Sequence, residues 1–172
     1  MKRIKKLFSC TAVAAGLTAS MACANAATHV DVPFSGVINF QAVIFPNPVI
    51  PAPPDCPYLG GNTGSGTLTQ FGKVIMGSTE CVAPDPLIPY GLDASKGTLV
   101  LTVSNGDIVF ATYGGKFLLS ADGQTYTTSG LVFQINGGTG RFVNATGNGN
   151  LQGTQSAITG AGSFTVTGLI SY

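Results

Sequence analysis

In eight segments between residue 29 and the C-terminus, apolar and polar side chains alternate with a period of two, and no segment carries a convincing helical period. Val30, Val32, Phe34, Ile38 and Phe40 share one face of a first strand expected near residues 29–40, with His29, Asp31, Ser35 and Asn39 on the other. A second strand (64–71) and a third (73–81) are joined tightly around Gly72. A fourth (97–104) meets a fifth (107–119) at Asn105-Gly106-Asp107, a hairpin signal because Asn and Gly tolerate positive φ. Gly114-Gly115 predicts a bulge or bend within the fifth strand. Ala121 to Gln124 turns into a sixth strand (125–136) with Leu131, Phe133 and Ile135 on one face. Beyond Gly137-Gly138-Thr139-Gly140 come a seventh (145–156) and an eighth (161–172), the last with Phe164, Val166, Ile170 and Tyr172 aligned.

Eight antiparallel strands, each with one apolar and one hydroxyl-rich face, predict an all-β, eight-stranded up-and-down barrel of calycin-like architecture, because closure removes exposed sheet edges. A β-sandwich is the structural alternative. In a meander, strand parity assigns each connection to one of two ends. The Pro-rich stretch 41–63, a second irregular stretch 82–96, the Asp122-Gly123 turn and the Ile158 to Gly160 turn then share one rim. All 10 prolines fall at or before Pro89, so nothing interrupts the ladders of the second half.

Charge separates the chain into two populations. The formal +1 of the 172 residues combines Lys2, Arg3, Lys5 and Lys6 with a remainder carrying four basic residues (Lys73, Lys96, Lys116, Arg141) against 7 acidic ones. The basic start, the apolar run from Leu7 to Ala22 and Ala24-Asn25-Ala26 have the order of a secretory signal peptide cut after Ala26. Residues 1–26 are therefore expected to be leader and 27–172 a single secreted or periplasmic domain. A retained membrane anchor is the alternative, although the run is shorter than a span needs. Lipidation at Cys23 is another, although Ser20-Met21-Ala22 lacks the usual leucine. The acidic remainder has no basic cluster for nucleic acid or anionic lipid. Cleavage leaves Cys56 and Cys81, which an exported chain most simply joins in one disulfide.

Reactive groups are scarce. There is one His and no Trp. His29 stands beside the expected cleavage site, where fraying argues against a catalytic triad. Two cysteines and one histidine cannot complete a four-ligand zinc site, so neither metal nor cofactor is expected. Asp55, Asp85, Asp93 and Asp122 gather by parity at the rim that carries the disulfide. Solvated loops explain them better than a cation site, because no EF-hand-like spacing is present. Met76, Phe110, Tyr113, Phe117 and Phe133 are candidates to line an apolar cavity, or equally to fill a narrow barrel. Gly137 to Gly140 lacks the Gly-Lys-Ser/Thr ending and following helix of a phosphate loop, so a tight connection held by Arg141 or leaving it solvated is expected.

The run Asn136-Gly137-Gly138-Thr139-Gly140-Arg141-Phe142-Val143-Asn144-Ala145-Thr146-Gly147, with Gly66 to Lys73, Leu101 to Asp107 and the closing Gly168 to Tyr172, resembles secreted bacterial members of the allene oxide cyclase and dirigent-like barrel superfamily. The resemblance covers most of residues 27–172 and rests on glycine turns. It implies an eight-stranded barrel with an apolar interior, used in plant relatives for cyclisation or for steering radical coupling. Those enzymes place charged or phenolic residues inside the barrel. No such set aligns here residue by residue, so no catalytic residue is carried over. Three function classes follow. The first is an exported, non-catalytic barrel that binds a small apolar molecule or a cell-surface component. The second is a cyclase or isomerase. The third is a small outer-membrane barrel, suggested by the alternating aromatic C-terminus and the long loops at one end. The oligomeric state is not legible.

Overall fold

The computed structural model describes residues 29–172, and the expected leader lies outside them. Eight strands follow one another round a closed barrel: β1 (Val32–Pro46), β2 (Tyr58–Leu68), β3 (Gly72–Pro84), β4 (Leu92–Val103), β5 (Ile108–Leu119), β6 (Thr125–Gly138), β7 (Thr146–Ser156) and β8 (Ala161–Ser171). Every neighbouring pair is antiparallel. The β1–β8 ladder, from Val32↔Ile170 to Gln41↔Ala161, closes the circle, so neither terminal strand leaves an unpaired edge. A single 3₁₀ turn, Gly140–Phe142, interrupts the β6–β7 connection.

Four strands are longer than their alternation suggests. β1 continues to Pro46, β2 begins at Tyr58, β3 continues to Pro84 and β4 begins at Leu92, so the irregular stretches contract to residues 47–57 and 85–91. Pro46 and Pro84 are tolerated because each forms the last pair of its ladder, opposite Tyr58 and Leu92. At the other end of β1, Val30 precedes the strand and is exposed instead of sharing the buried face of Phe34, Ile38 and Phe40.

Period-two alternation translates directly into inside and outside. Phe34, Ile38, Val74, Leu101, Phe133, Val166 and Ile170 point inward into one continuous core. Outward positions are mostly Ser, Thr, Asn and Gln, as along β7, where Asn148, Asn150, Gln152 and Thr154 are exposed. The core is filled by setting large residues against small ones on neighbouring strands, as Phe133 on β6 pairs with Gly149 on β7. A Cβ added at Gly149 would lie 2.5 Å from Cζ of Phe133 and 2.1 Å from the carbonyl oxygen of Thr167. Phe133 therefore occupies space that only a glycine opposite can leave.

The end opposite the disulfide is sealed. Phe142 and Ile170 are fully buried, and Phe71 stacks on Phe142 with ring centroids 5.4 Å apart. Arg141 donates from Nη2 to the carbonyl of Gln70 at 2.7 Å and lies over the rings of Phe142 and Tyr172. The glycine-rich segment is thus a connection pinned by Arg141. His29 is held rather than frayed: its backbone exchanges two hydrogen bonds with Tyr172, and its ring stacks on the tyrosine at 4.7 Å.

Candidate functional site

At the end opposite this seal, parity brings the 47–57, 85–91, 120–124 and 157–160 connections to one rim. Cys56 and Cys81 form a disulfide there, with Cα atoms 4.9 Å apart. Hydrogen bonds from Cys56 N to Pro53 O and from Asn47 Nδ2 to Cys56 O hold the Pro-rich loop in shape.

The four rim aspartates do not converge. Asp55 pairs with Lys96 at 2.6 Å, and the ammonium lowers its pKa. Asp85 is buried against Lys116 at 2.5 Å, and its other oxygen accepts from Leu87 N. The Lys116 hydrogen bond lowers the Asp85 pKa. Asp93 reaches the same lysine at 3.7 Å. Asp122 accepts from Ser120 Oγ and Gln124 N within its own turn, and the serine bond holds its carboxyl below the usual range. Among the described residues, no group of three or more His, Cys, Asp or Glu is placed to hold a metal ion. These acids fix loops and turns. Two of the four lysine and arginine side chains outside the expected leader, Lys96 and Lys116, meet them at this rim.

Of the five candidate lining residues, Met76, Tyr113, Phe117 and Phe133 face inward. Phe110 does not: it is paired with Val100 on the outer wall and is 43% exposed. Residues 110 and 113 stand an odd number of places apart on one strand, which puts them on opposite faces.

The group with the most distinctive chemistry is one that alternation alone did not single out. Glu80, the only glutamate in the chain, sits on the inward phase of β3 and is 7% exposed. It accepts a short hydrogen bond from the Tyr113 hydroxyl on β5. Asn62 Nδ2 on β2 lies 3.3 and 3.1 Å from its two oxygens. Ser78 Oγ joins the cluster, 2.9 Å from Asn62 Nδ2 and 3.1 Å from the tyrosine oxygen. Burial raises the Glu80 pKa, against the opposing pull of the Tyr113 and Asn62 hydrogen bonds. Tyr113 is pushed above its ordinary value by burial and by the adjoining carboxylate. Among the described residues, Glu80 is a buried carboxylate with no cation within salt-bridge reach, whereas buried Asp85 has Lys116.

Backbone irregularity surrounds this cluster. The β3–β4 register shifts between Thr79 and Cys81, directly across Glu80. The β4–β5 register shifts between Ala94 and Gly97, and the β5–β6 register between Gly114 and Lys116, beside Tyr113. Bulges re-aim side chains, and three successive ladders bulge at the level where one acid and one phenol meet. Lys96, within the β4 bulge, has φ +53°, a costly conformation for a residue with a Cβ. Two glycines make room. A Cβ at Gly60 would lie 2.3 Å from Glu80 Oε1, and one at Gly97 would lie 2.7 Å from the Tyr113 ring.

Interior space is limited. On the rim side of the cluster, Glu80 borders a void of about 10 Å³ with Ile44, Val82, Leu92, Phe117 and Tyr126. On the core side, Phe34, Met76, Leu101, Phe133 and others enclose a dry void of about 20 Å³. Neither holds more than about one water molecule. A broad open groove of about 790 Å³ lies outside β4–β7, lined by Thr98, Thr112, Gln134, Asn148 and Asn150 and reaching Tyr113 and Phe133. It offers solvated hydroxyls and amides and, in Lys96, one cation already paired with Asp55. The inward cluster is the better candidate because its polar groups are desolvated and mutually oriented. Compared with known proteins, the chain matches no family model, no curated protein and no solved structure.

Proposed function

We propose that this chain is an exported, non-catalytic barrel that takes a small, predominantly apolar molecule end-on through the disulfide-bearing rim. The observation that carries the reading is Glu80: a carboxylate without a cation, at the base of a mouth walled by Ile44, Val82, Leu92, Phe117 and Tyr126. A buried carboxyl held by Tyr113 and Asn62 costs stability relative to an apolar residue, and such costs concentrate at functional sites. The apolar wall would receive the body of the ligand. Glu80 would accept a hydrogen bond from a single donor group on it. Because the resting void is small, Phe117 and Tyr126, both partly exposed, must swing outward as the ligand enters.

The distribution of polarity argues against a barrel that spans a bilayer. Such barrels turn apolar side chains to the lipid and polar ones to the lumen. Here the lumen carries Phe, Ile, Leu and Val, and the wall carries Ser, Thr, Asn and Gln. Export and a secreted or periplasmic location are proposals from the N-terminal sequence.

Titration with N-phenyl-1-naphthylamine, a neutral apolar fluorophore with one N–H donor, tests the binding reading. Saturable enhancement is expected. Glu80→Gln should weaken it several-fold, and Leu92→Trp, which plugs the mouth, should abolish it. Enhancement that is absent, or indifferent to both variants, overturns the proposal.

The Glu80–Tyr113 contact favours one second reading, a cyclase or isomerase in the manner of the plant barrels with charged or phenolic residues inside. It is distinguished by turnover: Tyr113→Phe should then abolish conversion of a bound substrate while leaving binding intact.

A further inference from the structure

The most exposed large apolar side chains of the described residues cluster at the tips of the disulfide rim. Ile50 is 94% exposed, Leu87 83% and Tyr90 82%, with Ile158 next at 72%. They belong to three separate connections, β1–β2, β3–β4 and β7–β8, which the topology brings to the same end. The wall also exposes apolar residues, Ile75 and Val132 singly and Val100 beside Phe110, and the far end exposes Val30 and Val143, but each is less exposed than these four. What sets the rim apart is that its four, Ile50, Leu87, Tyr90 and Ile158, are the most exposed and stand at one end, and exposed apolar groups gathered at one end mark contact surfaces.

We infer that this rim docks on a lipid surface with zwitterionic headgroups, its apolar tips immersed below the headgroup level. Three features favour lipid. First, the tips stand apart on different loops, nearly free of protein contact. Insertion into a fluid interface needs only that each tip be apolar, whereas a protein partner requires a continuous, complementary patch. Second, the tip backbones leave water at low cost. Pro46, Pro48, Pro51, Pro53, Pro54 and Pro57 have no N–H to desolvate, and neither do Pro84, Pro86 and Pro89. Several donors that remain are used internally: Val49 N by Asn47 Oδ1, Leu87 N by Asp85 Oδ1, Cys56 N by Pro53 O and Gly91 N by Ile88 O. Third, the charge is complementary to a zwitterion. Lys96 and Lys116 are engaged by Asp55 and Asp85, which leaves Asp93, half exposed and only distantly paired, and Asp122 as the residual charge. That remainder repels anionic lipid and attracts the outward ammonium of a zwitterionic headgroup. Tyr90, an aromatic with a polar tip, is suited to the interfacial level.

The test is flotation of the full exported chain with phosphatidylcholine vesicles at low and high salt. Co-flotation at both salts is expected, since the attraction is mainly apolar. The triple variant Ile50→Ser/Leu87→Ser/Tyr90→Ser should lose roughly tenfold or more in partitioning, because each change removes an inserted side chain. The wall variant Ile75→Ser/Val132→Ser should float like the parent. Absence of parent flotation, equal loss in the wall variant, or binding only to anionic vesicles overturns the inference. A parent that stays in the aqueous phase but self-associates through the tips points to a protein partner and overturns it equally. Naphthylamine binding without vesicles reads the mouth separately, so lipid docking and ligand binding fail independently.

Discussion

Glu80 responds to pH in the opposite sense to the aspartates around it. Burial raises its folded-state pKa above that of the unfolded chain, so its contribution is fully present below the unfolded value and is lost as pH rises through the folded one. The Asp55 and Asp85 pKa values are lowered, so their contributions are present above the unfolded value and are lost as pH falls through the folded one. Gln at position 80 cannot titrate. Glu80→Gln is therefore expected to gain on the parent in thermal unfolding as pH rises above the ordinary glutamate range and through the raised folded-state pKa, by about 1.4 kcal/mol for each pKa unit that burial adds. A constant difference across that range would mean that Glu80 is not desolvated. Glycine positions give a second residue-scale contrast. Gly149→Ala must displace Phe133 and the Thr167 carbonyl and should cost about 1–3 kcal/mol in denaturant unfolding. Gly77→Ala on β3 meets no atom within 4 Å and should stay within about 0.5 kcal/mol of the parent.

Strands β5 to β8 are legible because their alternation is unbroken and their turns carry Gly or Asn, down to the bulge at Gly114-Gly115. The ends of β1 and β3 and the starts of β2 and β4 are not, because Pro46 and Pro84 imitate loop chemistry while sitting in terminal ladder pairs. Gly60-Gly61 meanwhile carries no side chain that could show a period. That misreading has a consequence for the site. With residues 58–63 taken as loop, Asn62 has no inward phase and the cluster around Glu80 cannot be assembled. Glu80 itself was accessible, since it continues the even phase of Val74 and Met76, but a lone acid among seven carries little signal until Tyr113 and Asn62 are placed against it. The disulfide is the feature most plainly written in the sequence. It closes a loop with a sequence separation of 25. Cys56→Ser should lower stability by about 3 kcal/mol under oxidising conditions, read by thermal melting. If reducing agent lowers the parent and leaves the variant unchanged, the loss belongs to the cross-link.

Taken whole, the molecule is sealed at one end and carries its disulfide, its long connections and the nearby buried acid toward the other. Phe71, Phe142 and Tyr172 close the far end beneath Arg141, and a packed aromatic core separates that seal from Glu80. In the proposed reading, access to the acid is from the disulfide rim, past the partly exposed Phe117 and Tyr126. The same asymmetry puts the paired lysines, the bulged strands and the apolar loop tips at one end, so ligand entry and surface contact would use a single face. Fold class follows from period two. Function does not, because it depends on which few inward positions break the apolar rule and on what the bulges bring to them. Native mass spectrometry of the protein purified from its own cells tests the central claim most directly. The parent is expected to carry a small bound mass that the mouth-plugging variant Leu92→Trp lacks, whereas a parent recovered only at its bare polypeptide mass, or the same adduct on both proteins, would contradict a ligand-binding mouth at Glu80.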